Sequence, residues 1–311
     1  MSKFLRLLGV LCIVILGGVM INATQQDPEE KFDATQKVTF KNTSDTYVIR
    51  AVKIPDNLEF AGEKVPLYKP DIKERIDREL LVNTYWQSNG LLWLKRTHKY
   101  FPIIEPILKE KGVPDDFKYL AVIESNLRNV TSPQGAKGFW QLLKAAAKEN
   151  GLEVNENVDE RYHLEKATRA ACDYLIKAKK KFGTWTLAAA AYHDGNGGLN
   201  KKLSEQRVSS YYDVLAGENT QRYVPRILAA KEILSNPKKY GFEFDEEDLY
   251  TLEPSYPVKV DTVITNIAVF AKKFGINYKE LKLFNPWLRE NKLNNKSRKV
   301  YYINIPEKSR Q

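Results

Sequence analysis

From Asp71 to about residue 240 the apolar residues recur at helical spacing, and strand signals are scarce. That pattern restricts this stretch of about 170 residues to an all-α domain. Asp71 is placed to cap a first helix with Ile76, Leu80, Leu81 and Tyr85 on it. A second helical stretch covers Leu91 to Tyr100. Pro102 and Pro106 fit the start of a third, which runs through Lys111 and stops at Gly112. Pro114-Asp115-Asp116 opens a fourth, with Phe117, Leu120, Ala121 and Ile123 on its apolar face. Helical signals continue over 141–150, 164–181, 184–193 and 221–235.

The pattern changes after Asn236-Pro237. An acidic stretch from Glu243 to Asp248 and the prolines Pro254 and Pro257 mark a linker. Beyond it the order reads strand (256–260), helix (265–274), helix (277–284), strand (299–305), a small β-α-α-β module. Residues 252–311 hold 12 basic and 5 acidic side chains, a net +7 out of +10 for the whole chain. The excess positive charge admits a polyanionic partner: nucleic acid, an anionic membrane face or an acidic polymer.

The first residues narrow that choice. Lys3 and Arg6 precede an apolar run from Leu7 to Ile21, and polar residues begin at Asn22. Fifteen apolar residues are short for a spanning helix and typical of a signal peptide. Residues 1–24 are therefore expected to export the chain to the periplasm or cell envelope. They act either as a cleaved signal or as a membrane anchor over 4–21. Export argues against a nucleic-acid role. Residues 25–70, poor in helical pattern, are expected as an extended leader. The division is then 25–70 leader, 71–241 helical domain, 242–255 linker and 256–307 module. His98, His163 and His193 are scattered, and the two Cys make neither a disulfide framework nor a metal site. Cys172, in Ala170-Ala171-Cys172, reads as a buried thiol.

Chemistry concentrates around Tyr119-Leu-Ala-Val-Ile-Glu124-Ser125-Asn126. Glu124 stands near the end of an apolar helix, where poor solvation disfavours the carboxylate, raises its pKa and suits it to general-acid work. Taken alone, a solvent-facing Glu is the commoner outcome. Ser132-Pro133-Gln134-Gly135-Ala136-Lys137-Gly138 comes next as a glycine-containing turn, with Phe139-Trp140-Gln141 opening the next helix. Aromatic rings beside amides suit sugar binding. Ala189-Ala190-Ala191-Tyr192-His193-Asp194-Gly195-Asn196-Gly197-Gly198 reads as a tightly packed small-residue helix that ends in a glycine loop. Glu218-Asn219-Thr220-Gln221-Arg222-Tyr223-Val224-Pro225 starts another helix.

In this order the four pieces resemble the lytic transglycosylases of goose-type lysozyme-like (SLT) fold. The nearest likeness is to the D group of membrane-bound lytic murein transglycosylases. That family shows Glu-Ser, then Ser-Pro-x-Gly-Ala-x-Gly-x-x-Gln, then Ala-Tyr-Asn-x-Gly, then Glu-Thr-x-x-Tyr-Val. The resemblance covers about residues 70–241. It implies that Glu124 is the single catalytic acid/base and that Ser132, Gln141, Tyr192 and Tyr223 line the cleft. Tyr223 and Ser132 would position Glu124 and the reacting sugar. Two positions depart from the pattern: His193 replaces the family Asn, and Asn219-Thr220 replaces Glu-Thr. His193 is kept as a sugar contact whose reach and charge differ. The C-terminal module resembles LysM, a peptidoglycan-binding domain. The likeness lies in Val260-Asp261-Thr262, Phe274-Gly275-Ile276, Asn285-Pro286 and Ile303-Asn304-Ile305-Pro306.

The expectation is a mainly α protein: a lysozyme-like catalytic domain plus a small βααβ module. It is expected to be a lytic transglycosylase, a carbon-oxygen lyase that cuts the MurNAc–GlcNAc β-1,4 bond and leaves 1,6-anhydro-MurNAc ends. Its partner is peptidoglycan, with membrane association through the anchor, and it needs no cofactor. Two alternatives stand beside it. One is a hydrolytic muramidase, with Asp159, Glu160 or Asp194 orienting water; Asp159 reads rather as a structural partner of Arg161. The other is a non-catalytic wall-binding scaffold.

Overall fold

The computed structural model describes residues 49–307. The expected export segment and the first part of the leader lie outside the described residues. The described chain begins with a small hairpin, β1 (Glu59–Phe60) and β2 (Glu63–Lys64), paired Glu59 to Lys64. Phe60 is fully buried and meets Phe117 edge-to-face at 5.1 Å. The Glu63 carboxylate accepts from the backbone N–H groups of Trp185 (2.6 Å) and Thr186 (2.8 Å). An anion there satisfies two orphan donors at the start of a helix and complements its dipole.

The helical domain comprises α1 (Pro70–Tyr85), α2 (Gln87–Lys111), α3 (Lys118–Ser125), α4 (Lys144–Glu149), α5 (Leu164–Phe182), α6 (Trp185–Gln206), α7 (Glu218–Gln221) and α8 (Tyr223–Ser235). One apolar core joins them, with α1 against α8, α2 against α5, α5 against α6 and α3 against α8. Cys172 is buried in it, and burial pushes its thiol up to about 12, so it packs as an inert group.

Four local expectations are corrected. Asp71 does not cap α1: Pro70 occupies the first turn, the capping position is Lys69, and Asp71 pairs with Arg75 at 3.1 Å. The two helices expected over 91–111 are one, and α2 runs through Pro102 and Pro106. An interior proline costs about 3 kcal/mol. Burial of Trp93 and Leu94 before these prolines, and of Ile104, Ile107 and Leu108 after them, offsets that cost. Phe139-Trp140-Gln141 does not open a helix: α4 starts at Lys144, and Gln141 has a φ of 46°. The glycine run after Asp194 is not an open loop either. Gly195 alone leaves helical geometry (φ 73°, ψ 151°), and the helix resumes through Gly197 and Gly198 to Gln206. A left-handed φ at that kink is readily adopted only by glycine.

The C-terminal module is β3 (Ser255–Val260), α9 (Ile267–Lys273), α10 (Tyr278–Phe284) and β4 (Tyr301–Pro306). Its strands pair antiparallel, Val260 to Tyr301 and Val258 to Ile303. Tyr301, Ile303 and Ile305 alternate inward, as one buried face requires. Asn266 caps α9, and Asn277 with Glu280 forms a capping box on α10. The module's core also takes in Val158 and Tyr162 from the helical domain. The protein is thus mainly α, with two small two-stranded sheets among the described residues. No helix of those residues is long and apolar enough to cross a membrane.

Candidate active site

Glu124 is contributed by the last turn of α3, whose Tyr119, Leu120, Ala121 and Val122 are buried. Asn126 takes a left-handed φ of 53° and ends the helix, and its side chain accepts from Trp93 Nε1 at 2.8 Å. That stop turns the chain away just past Glu124. The Tyr223 hydroxyl, in the first turn of α8, donates to Glu124 Oε1. Loss of water raises the Glu124 pKa to about 7, against smaller opposing pulls from the Tyr223 hydrogen bond and the Arg226 charge. A carboxyl poised there is protonated about half the time near neutrality and can give or take a proton.

Around it the structure gathers Tyr192, His193 and Arg226. The Tyr192 hydroxyl donates to the Trp140 carbonyl at 2.6 Å, and its ring meets Tyr174 edge-to-face at 5.3 Å. Burial and the neighbouring Glu124 hold the Tyr192 and Tyr223 phenols well above their ordinary range, so both are hydrogen-bond donors and not acids here. His193 stacks on the Tyr223 ring, centroids 4.6 Å apart and planes 22° from parallel. Desolvation lowers its pKa, with Arg226 and Lys202 adding to the effect and Asp194 opposing it.

The turn between α3 and α4 forms a further wall. Ser125 Oγ, beside Glu124, is buried and donates to the Phe139 carbonyl at 2.8 Å. The Gln141 amide donates to the carbonyls of Gly138 (2.8 Å) and Val130 (3.1 Å). Ser132 Oγ accepts from the Ala136 N–H at 3.1 Å, closing the turn; no hydrogen bond joins it to Glu124 among those of the described residues. Ser132 thus shapes the turn itself. Gly138 has a φ of 78°, and a Cβ there would fall 1.9 Å from the Arg161 carbonyl oxygen.

The carboxylates that could orient water are engaged elsewhere. Asp159 pairs with Arg161 through Nε (2.9 Å) and Nη2 (2.8 Å), both side chains buried. Glu160 binds Lys166, and Asp194 accepts from Lys202 and from Thr220, both at 2.7 Å. No group of three or more His, Cys, Asp or Glu side chains among the described residues could hold a metal ion.

Sequence reasoning assigned no role to Ser125 or Arg226. Arg226 was within reach, because it stands three residues after Tyr223 and so shares its helix face. Arg161 was named only as the partner of Asp159. Its Nη1 also donates to the carbonyls of Gly135 (3.1 Å) and Leu142 (3.2 Å), contacts that no local pattern announces.

The site is thus a part-buried carboxyl at a helix end, hydrogen-bonded by a tyrosine from a distant helix within an all-α core. Residues 101–214 match the transglycosylase SLT domain, and residues 256–309 match the soluble lytic transglycosylase C-terminal LysM-like domain. The chain thus carries an SLT transglycosylase domain followed by a LysM-like domain of the soluble lytic transglycosylase type. It is 27% identical over 262 residues to the membrane-bound lytic murein transglycosylase D of Escherichia coli K12, and equally to that of Escherichia coli O6:H1. That alignment covers 80% of this chain and 55% of those relatives, so the chain spans about half the length of the curated relatives it matches. A protein of Alteromonas sp. (strain M-1), named for tributyltin chloride resistance, is 29% identical over 118 residues, covering 37% of this chain and 57% of that protein.

Proposed function

We propose that the chain is an exported peptidoglycan lytic transglycosylase with Glu124 as its single acid/base. The observation that carries this reading is the Glu124 environment, a water-poor carboxyl with a pKa of about 7 held by the Tyr223 hydroxyl. A glycosidase ordinarily works with two carboxylates. Here Asp159, Glu160 and Asp194 are already held by cations, which favours a reaction run by one.

Protonated Glu124 gives its proton to the oxygen joining MurNAc to GlcNAc as the C1–O bond breaks. Positive charge develops at C1 and is met by the substrate's own N-acetyl group. Glu124, now a carboxylate, takes the proton of the MurNAc C6 hydroxyl, whose oxygen closes on C1. The product is a 1,6-anhydro end; no water is consumed, and the enzyme returns to its protonated form. Gln141, Tyr192, His193 and Tyr223 contribute to the sugar-binding wall, Ser132 shapes its turn, and the C-terminal module holds glycan. Residues 1–24 carry the chain to the envelope, as signal or anchor.

Digestion of purified sacculi, read by mass spectrometry, tests the proposal. Anhydro-ended muropeptides are expected. Reducing ends would replace the reading with the hydrolytic one, and no products at all would favour the scaffold.

A further inference from the structure

The C-terminal module is bonded to residues 153–159, the segment that leads into the contacts behind the 130–142 turn. Its Trp287 carbonyl accepts from the Asp159 N–H (2.9 Å), its Arg289 N–H donates to the Asn157 carbonyl (2.8 Å), and its Asn294 N–H donates to Asn157 Oδ1 (2.7 Å). Glu153 receives Lys299 Nζ at 2.6 Å and the Tyr301 hydroxyl at 3.0 Å. Backbone pairing between Val158 and Leu288 extends the join. These bonds fix the segment 153–163, which in turn touches the turn between α3 and α4.

Tyr162 is the pivot. Its ring is buried in the module's core, with the Arg289 guanidinium 4.1 Å from its centroid. Its hydroxyl pairs with Thr131 Oγ1 at 3.0 Å, and its carbonyl accepts from Asn129 Nδ2 at 3.3 Å. One residue earlier, Arg161 holds the carbonyls of Gly135 and Leu142. On its other side the same turn is held by Ser125 and Tyr192.

We propose that Tyr162 is a positioning residue for the cleft and that the C-terminal module, through Arg289, Trp287 and Tyr301, buttresses the 130–142 wall, beyond any glycan binding of its own. Only the effect on turnover rests on the proposed lytic function; the mechanical coupling does not.

The test uses the full chain with Tyr162→Phe, Arg289→Ala and Arg289→Lys. Amide hydrogen exchange over 130–142 is read alongside turnover of soluble uncrosslinked glycan strands. Exchange there is expected to rise roughly five- to tenfold in Tyr162→Phe and Arg289→Ala, the worth of about one net hydrogen bond. Amides of α1 and α8 stay unchanged, kcat falls while KM holds, and Arg289→Lys, which keeps the cation over the ring, recovers part of the loss. Tyr162→Phe loses only a hydroxyl and keeps the test decisive if Arg289→Ala folds poorly. Unchanged exchange over 130–142 in both variants overturns the proposal, as does unchanged kcat beside faster exchange. A wild-type chain that cleaves no glycan counts against the proposed function, and the exchange result still decides the coupling.

Discussion

The Tyr223 hydroxyl donates to Glu124 Oε1 from a residue 99 positions further along the chain. This hydrogen bond favours the carboxylate, while burial favours the neutral acid and is the larger influence. Burial and this hydrogen bond together leave the Glu124 carboxyl poised near neutrality.

Tyr223→Phe removes the influence that favours the charged form, so the Glu124 pKa rises. A general acid must be protonated to act, and the alkaline limb of kcat/KM should move up by about one pH unit, the scale of one charge-assisted hydrogen bond. A pH–rate profile on soluble glycan strands checks it. A limb that moves down would mean that Tyr223 acts on the substrate and not on Glu124.

Glu124→Gln should abolish muropeptide release while stabilising the fold above neutrality. The native carboxyl titrates near 7 and the unfolded one near 4.5, so the native state binds the extra proton between those values. Stability from this group is present below about pH 4.5 and lost as pH rises through 7. A neutral amide avoids the loss. The variant should gain up to about 3 kcal/mol at pH 8 and little at pH 4. Denaturant melts at the two pH values decide; equal gains at both would refute the burial argument.

The helical character of the domain and the place of Glu124 at a helix end were legible because both are local, set by apolar spacing and by the residues just past the helix. The order β-α-α-β was legible for the same reason. The continuity of α2 through Pro102 and Pro106 was not, because local cost predicts a break and burial of Ile104 and Leu108 from elsewhere in the chain overrides it. The helical Gly197 and Gly198 were misread because glycine punctuates more often than it continues. The join of Trp287 and Arg289 to 157–159 runs mostly through backbone groups, which every residue carries, so no side-chain pattern could reveal it.

Arg226 acts on Glu124 in the same sense as Tyr223 but only through charge. Its Nε is buried without a hydrogen-bond partner among the described residues, while its Nη2 donates to Asn219 Oδ1 at 3.5 Å. Arg226→Gln keeps the polar, elongated shape and removes the charge. The alkaline limb should rise by less than in Tyr223→Phe, roughly half a unit, and the shift should shrink in high salt because it is coulombic. A salt-independent shift of the same size would assign Arg226 a packing role instead.

Gly138 tests the wall without touching a titrating group. A methyl at this position would meet the Arg161 carbonyl oxygen at 1.9 Å, and the backbone already holds a φ of 78° that other residues rarely adopt. Both the clash and the strain act on one residue, and the neighbour is backbone that cannot rotate away. Gly138→Ala should therefore cost about 3 kcal/mol or more in a chemical melt. Whatever folds should also show a displaced 130–142 turn, with kcat lowered and the alkaline limb unmoved. Gly135 makes the comparison clean. Its φ is 80° and no heavy atom lies within 4 Å of its Cβ position, so Gly135→Ala carries the strain without the clash. It should cost only about 1 kcal/mol. Equal losses in the two variants would show that backbone strain, and not contact with Arg161, is what glycine at 138 relieves.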